Sequence, residues 1–272
     1  MNKNIIHVGM HKTGSTFLQK QLFPFVLDKE FLSSNYEFEK FLRDQFLNCL
    51  DGIYKRDEFL KTFYEKFQRK TSTSFIISEE NLSGHIYSGV NWNINAQRLF
   101  DCFPDSMIII VLRNQNDLIF STWSNYRKYG GLRKFEDWLV SEWTLWGVIK
   151  QKLEFDNFVR GYCQLFGRQN VKIFFFEELF KNGFDQLIAD LELDTKVVPD
   201  IKKVVNPGFG KNLVRAFSVL DFYSRGFLST KYRSMNRRNS LHCIPQDWVN
   251  CWAESNRRLS DFVRRDLPEE YL

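Results

Sequence analysis

The stretch GMHKTGST, residues 9–16, sets two glycines, Gly9 and Gly14, at the GxxxxG spacing of a phosphate-binding loop. In such loops backbone N–H groups cradle phosphate oxygens, a lysine after the second glycine reaches the terminal phosphates, and the next hydroxyl holds Mg²⁺. Here Ser15 follows Gly14, and the loop's lysine, Lys12, stands two residues before that glycine. The spacing predicts an anion cradle, but not the usual one for Mg²⁺–ATP. Farther along, Arg113 ends an apolar run and Ser121 follows eight residues later, about two helical turns on. An Arg and a hydroxyl so spaced could hold a second phosphate, or the Arg could pair with a surface carboxylate while the Ser packs within a helix.

These residues need elements to position them. NIIHVG at 4–9 is an apolar run meeting a glycine turn, and GSTFLQKQLF continues at helical spacing until Pro24, which gives strand, loop, helix. Residues 29–70 are charged and Phe-rich with helical periodicity and read as two helices, within a helical insertion at about 25–72. SFIIS at 74–78 is a second strand ending in the turn EENLSG, and a helix near 92–102 stops at Pro104. SMIIIVL at 106–112 is a third strand, followed by a helix closed by Gly130 and Gly131. Two helices fill about 135–166, and VKIFFFEEL at 171–179 is a fourth strand running into a helix. Apolar strands separated by helices imply an α/β, three-layer P-loop-type fold, with a central parallel sheet covered by helices on both faces. Ligands of such sheets sit at the carboxyl ends of the strands, which predicts that 9–16, 78–84 and 113–121 surround one crevice.

Composition sets the outer bounds. A chain of 272 residues, 43% hydrophobic with 28 Phe, supports a sizeable core, and we expect one domain over 1–272 with a helical, basic C-terminal part at about 206–272. Residues 211–239 carry seven Lys/Arg against a single acid, Asp221. Five cysteines scattered singly suggest reduced thiols rather than a zinc site or a disulfide framework. The longest apolar run, 107–112, is far below the roughly 18 residues that span a bilayer, and the first residues lack a signal-peptide run, so a cytoplasmic protein is expected. The net charge of +5 mildly favours anionic ligands.

Taken together, the displaced-lysine loop and the strand-ending Arg with its following Ser resemble the sulfotransferase family, which uses 3′-phosphoadenosine 5′-phosphosulfate (PAPS). Lys12, Thr13, Gly14, Ser15 and Thr16 match its 5′-phosphosulfate loop, and Arg113 and Ser121 match the pair that holds the 3′-phosphate. The bacterial carbohydrate branch is similar over more of the chain. Its RxQxDxxxSxYxxxxKxG pattern is met by Arg113, Gln115, Asp117, Ser121, Arg127 or Lys128, and Gly130, with Trp123 in place of the Tyr. NVKIFFFEEL at 170–179 and AESNRRLSDF at 253–262 also resemble that branch. The resemblance implies sulfuryl transfer from PAPS to an acceptor hydroxyl, on a glycan or glycolipid, with neither a metal nor a nucleic-acid partner. Lys12 would face the bridging oxygen of the donor, where charge grows, and so make a divalent metal unnecessary.

The acceptor's proton needs a base, and Glu79, Glu80, His11 and His85 are the candidates. Aligning SEENLSG with the family's turn selects Glu80, while a cap of the local turn is the plainer role for such an acid. His7 reads as a buried strand residue, and His242, in a basic loop, has no assigned role. Lys211 is a possible counterpart of a late basic loop that closes over the 3′-phosphate in some members. The basic run Arg225 to Arg238 is a solvated face, or else a dock for an anionic acceptor or a membrane surface. The alternatives are a nucleotide-dependent kinase with an aberrant loop, and a non-catalytic nucleotide-binding module with a basic partner-binding face.

Overall fold

The structure is a computed structural model and describes residues 3–68, 73–141, 148–199 and 244–271. In chain order the elements are β1 (Ile5–Gly9), α1 (Ser15–Gln21), β2 (Lys29–Phe31), α2 (Tyr36–Leu42), α3 (Arg56–Lys66), β3 (Ser74–Ser78), α4 (Trp92–Cys102), β4 (Met107–Leu112) and α5 (Gln115–Lys128). There follow α6 (Phe135–Leu139), α7 (Val148–Lys152), α8 (Phe155–Phe166), β5 (Val171–Phe175), α9 (Phe176–Asn182), α10 (Asp185–Asp190) and α11 (Gln246–Val263).

The strands form one parallel sheet in the order β2-β3-β1-β4-β5. β1 and β3 are buried at every position, and β4 at all but its first, as expected of strands covered on both faces. The run MIIIVL of β4 suits such a position because branched side chains pack well against the neighbours of a pleated surface. Register brings the business ends level: Gly9 pairs with Val111, and His7 with Ser78, so β1, β3 and β4 finish near one edge of the sheet.

Two expectations need correction. Residues 29–70 contain α2 and α3, but also the edge strand β2, whose Lys29 pairs with Ser74 and Phe31 with Ile76. Three residues that include a Lys and a Glu show no apolar run; pairing with β3, not local pattern, makes them a strand. The described residues of the stretch 135–166 hold three helical pieces, α6, α7 and α8, rather than two.

By internal contacts the chain falls into two compact units, Met1–Arg113 with Asn157–Lys203, and Asn114–Asp156 with Val204–Leu272. The first contains the whole sheet. Aromatic clusters fill its core, among them one of Trp92, Phe158, Tyr162 and Phe166. Phe63 of α3 and Phe103 after α4 pack edge-on or tilted against Phe75 of β3, with Phe38, Phe46 and Phe59 beyond. Phe17 of α1 meets Phe180 of α9 and Phe184, each at 5.1 Å between ring centres. Each such pair adds about 0.5–1.5 kcal/mol beyond the area it buries.

In the second unit, buried polar pairs fasten α11. Gln115 Nε2 donates to Asn256 Oδ1 at 2.7 Å, and Asn256 Nδ2 donates to the Tyr271 carbonyl at 2.8 Å. Asp156, buried at the start of α8, accepts from Ser255 Oγ and Arg258 Nε, both at 2.6 Å. Trp123 lies buried against Phe120 and Phe135, and Arg127 Nη1 donates to the Gly131 carbonyl at 2.5 Å. Cys49, Cys102, Cys163 and Cys251 are free thiols; Cys243 lies outside the described residues. Among the described residues no helix is long and apolar enough to cross a membrane.

Candidate active site

The glycine loop leaves β1 and turns sharply into α1. Two consecutive devices make the turn: Lys12 takes a left-handed backbone at φ 70°, and Gly14 another at φ 89°. A left-handed lysine is uncommon and costs about 1–2 kcal/mol, so something must hold it. Thr13 Oγ1 donates to the Met10 carbonyl at 2.6 Å, and Arg113 Nη1 donates to the Lys12 carbonyl at 2.8 Å. Gly14 begins α1, its carbonyl accepting from Phe17 and Leu18, and no side chain caps the helix. The floor is aromatic. The Arg113 guanidinium lies 4.4 Å from the centre of Phe176, and Phe176 and Phe180 sit 4.4 Å apart. A Cβ at Gly14 would come within 2.9 Å of the Phe180 ring, so the position is closed to other residues on two counts.

Gly9 is constrained differently. A Cβ there would collide with the Ser15 hydroxyl and lie 3.1 Å from His7 Cε1, so the bare glycine lets serine and imidazole crowd onto one spot. Ser15 is buried, and its Oγ has no hydrogen-bond partner. Thr16 is half-buried beside it.

The turn after β3 separates the two adjacent acids. Glu79 caps the 3-10 turn Glu80–Ser83, its carboxylate accepting from Asn81 N at 2.9 Å and Asn81 Nδ2 at 2.6 Å. The capping role expected as the plainer one for Glu80 thus belongs to its neighbour. Glu80 is half-buried, and its carbonyl accepts from Ser83 Oγ at 2.7 Å. Asn95 of α4 donates to the carbonyls of Asn81 and Leu82, and Tyr162 of α8 also donates to Leu82, which stiffens the turn from below.

His11 is buried in the loop beside Lys12, while His85 is exposed, with Nδ1 3.2 Å from Ser88 Oγ. His7 is fully buried as expected, and desolvation by burial pushes it down to about 3, so it is neutral at any ordinary pH. The loop, the turn bearing Glu79 and Glu80, and Arg113 all belong to the first unit. Ser121 belongs to the second. On α5 its neighbours Thr122 and Ser124 donate back to the Leu118 and Phe120 carbonyls, a bond Ser121 does not make. Lys211, Arg225 to Arg238 and His242 lie outside the described residues.

Two features escaped the sequence. Glu39 of α2 is raised by burial and then by the Glu79 charge, with Arg43 opposing, so the insertion brings a carboxylate near that turn. Gln19 of α1 donates from Nε2 to both the carbonyl and Oγ of Ser78, and that hydroxyl also meets His7 Nδ1 at 2.8 Å. These partners lie 59 and 71 residues apart in the chain, and no local pattern signals them.

No protein-family profile and no curated protein sequence matches the chain. Solved structures do. A sulfotransferase from Alicyclobacillus acidocaldarius superposes with a TM-score of 0.62 at 20% identity over 98% of each chain. A sulfotransferase domain from the curacin biosynthetic pathway gives a TM-score of 0.47 at 11% identity, covering 98% of this chain and 99% of its own. A mouse sulfotransferase complexed with PAP gives 0.40 at 14% identity, covering 97% and 83%. At 20% identity the first likeness establishes the fold: the chain has a sulfotransferase-like α/β fold.

Proposed function

We propose that the protein is a PAPS-dependent sulfotransferase acting on a hydroxyl-bearing acceptor. The observation that carries this reading is Ser15, a hydroxyl buried in a glycine-bounded loop with no hydrogen-bond partner. An unsatisfied buried hydroxyl costs about 1–3 kcal/mol, and a phosphate oxygen seated in the loop would satisfy it. The displaced Lys12 supports sulfuryl over phosphoryl chemistry. PAPS, when bound, supplies an activated sulfuryl group. Lys12, Thr13, Gly14, Ser15 and Thr16 would hold the 5′-phosphate end, with the Lys12 ammonium stabilising charge at the bridging oxygen. Arg113, stacked on Phe176 and tied to the loop, would offer its guanidinium to the 3′-phosphate. Ser121 and Lys211 join that phosphate on the strength of the sequence alone.

Glu80 would take the acceptor's proton, since Glu79 is spent on its cap. A glycan or glycolipid acceptor, a cytoplasmic location, a metal-independent reaction and a membrane-facing basic C-terminal part extend the same reading from the sequence. A kinase would want an Asp at a strand end to hold Mg²⁺, but β3 ends in Ser78 and β4 in Leu112, followed by Arg113. Labelled PAPS incubated with the pure protein and a panel of glycan acceptors tests the activity. Adenosine 3′,5′-bisphosphate should raise the melting temperature and ATP should barely move it. Stabilisation by Mg²⁺–ATP alone, or turnover lost to EDTA and restored by Mg²⁺, would overturn the reading.

A further inference from the structure

His7 has no part in the chemistry above, yet it sits directly under the phosphate loop. Its ring can be oriented and its proton placed from the bonds around it. Ser78's carbonyl oxygen can only accept, so the Gln19 atom 3.1 Å from it is the donor Nε2, and that nitrogen also reaches Ser78 Oγ at 3.1 Å. Ser78 Oγ therefore accepts from Gln19, and of its two ways of meeting His7 Nδ1 at 2.8 Å, donating is the one that gives its own hydrogen a partner. An Nδ1 that accepts leaves the proton of a neutral imidazole on Nε2. Burial keeps the ring neutral.

The result is a buried Nε2–H with no acceptor, which is costly to leave so. Ser15 Oγ, another buried polar atom without a partner, is close by. Ser15 Oγ and the His7 ring edge both crowd the space above Gly9 Cα, where the glycine's missing side chain admits them together. Phe23 covers the ring at 5.7 Å between centres. A serine that donates its proton to a phosphate oxygen can accept one at the same time.

We propose that His7 is a positioning residue for the nucleotide: the two groups make no hydrogen bond in the structure, and when the 5′-phosphate binds, the His7 Nε2–H donates to Ser15 Oγ and so aims the Ser15 hydroxyl proton at that phosphate. A chain of hydrogen bonds then runs from Gln19 through Ser78, His7 and Ser15 to the ligand, all within the first unit. The chain ties the loop to the strand end that precedes Glu79 and Glu80. This inference rests on the reading of the loop as a nucleotide site.

The test uses ¹⁵N-histidine NMR and titration calorimetry on the full chain, with adenosine 3′,5′-bisphosphate as the probe. The free protein should show His7 as the Nε2–H tautomer, and the bisphosphate should move that proton downfield in wild type but not in Ser15→Ala. His7→Asn can still accept from Ser78 but has no group at the Nε2 position, and should weaken binding about five- to tenfold. His7→Gln, whose amide reaches that position, should stay within about threefold of wild type. The His7→Asn, Ser15→Ala double variant should bind no worse than Ser15→Ala alone. An Nδ1–H tautomer, an Nε2 proton indifferent to the ligand, or additive losses would each overturn the role of His7. Should His7→Asn not fold, the two NMR readouts on wild type and Ser15→Ala decide the matter. A folded wild-type protein that does not bind the bisphosphate would instead sink the nucleotide reading, while the tautomer remains measurable.

Discussion

Arg113 serves two masters, and a substitution there should reveal both. Its Nη1 donates to the Lys12 carbonyl, and its guanidinium stacks on Phe176, so it supports the left-handed turn of the loop as well as offering charge to a ligand. For Arg113→Ala we expect adenosine 3′,5′-bisphosphate to bind about 2–3 kcal/mol more weakly, the scale of a lost charge-assisted contact. AMP, which lacks the 3′-phosphate, should lose about 1 kcal/mol or less, through the loosened loop. Calorimetric titration of both ligands checks this, and equal losses would remove Arg113 from the 3′-phosphate. The two glutamates divide in the same way. Glu79 holds two hydrogen bonds to Asn81, and Glu80 has no share in that cap. Glu80→Gln keeps size and polarity but cannot take a proton, so it should lower turnover at least about a hundredfold with nucleotide affinity unchanged. Glu79→Ala should cost about 1 kcal/mol of stability, as a lost cap does, and leave more of the turnover. Near-full turnover in Glu80→Gln, with loss in His11→Asn or His85→Asn, would hand the proton to a histidine.

Outside the loop, the sulfotransferase-like sequence patterns at 113–130 and 253–262 meet in the second unit. Gln115 and Asn256, from two stretches that resemble sulfotransferases, bond to each other in the second unit, and Ser255 and Arg258 converge on Asp156. These residues fasten α11. Asp156→Ala would take from the buried Ser255 hydroxyl the acceptor of its proton and from Arg258 its buried carboxylate partner, leaving the Glu254 pair, so urea denaturation should show a loss of about 3 kcal/mol. Bisphosphate affinity, measured where the variant is folded, should not change. A variant as stable as wild type would mean that other contacts hold the helix. The contrast explains what was legible from the sequence. The loop was readable because Gly9, Lys12, Gly14 and Ser15 are near neighbours in the chain, and β4 because MIIIVL is a continuous apolar run. β2 was not, because only its pairing with β3 makes Lys29–Phe31 a strand. Nor were the approach of Glu39 to Glu79 or the His7–Ser78–Gln19 bonds, which arise when the sheet assembles distant segments.

For the molecule as a whole, burying His7 ties stability to pH. In the folded protein the imidazole stays neutral down to about pH 3, while in the unfolded chain it gains a proton around its ordinary 6.5. Below 6.5 the unfolded state therefore binds one proton more than the folded state, and the balance moves toward unfolding as the pH falls. The contribution is fully present above 6.5 and declines by about 1.4 kcal/mol per pH unit until about pH 3. Between pH 7 and pH 5 that amounts to about 2 kcal/mol, a large fraction of the roughly 5–15 kcal/mol that holds a domain folded. Asp28, whose burial is outweighed by its hydrogen bond and charge contact with Lys29, is held low, so it weakens the fold only at pH below the ordinary carboxylate range. Glu39 is raised by burial and then by Glu79, which makes its contribution fade as pH rises, the opposite sense, and it is present in wild type and variant alike. His7→Gln removes only the histidine's titration. Its stability at pH 7 should be equal or lower, but the fall from pH 7 to pH 5 in urea denaturation should be shallower than in wild type by about 2 kcal/mol. Parallel curves for the two proteins would mean that His7 takes up its proton inside the folded chain, and the neutral Nε2–H beneath the phosphate loop would go with it.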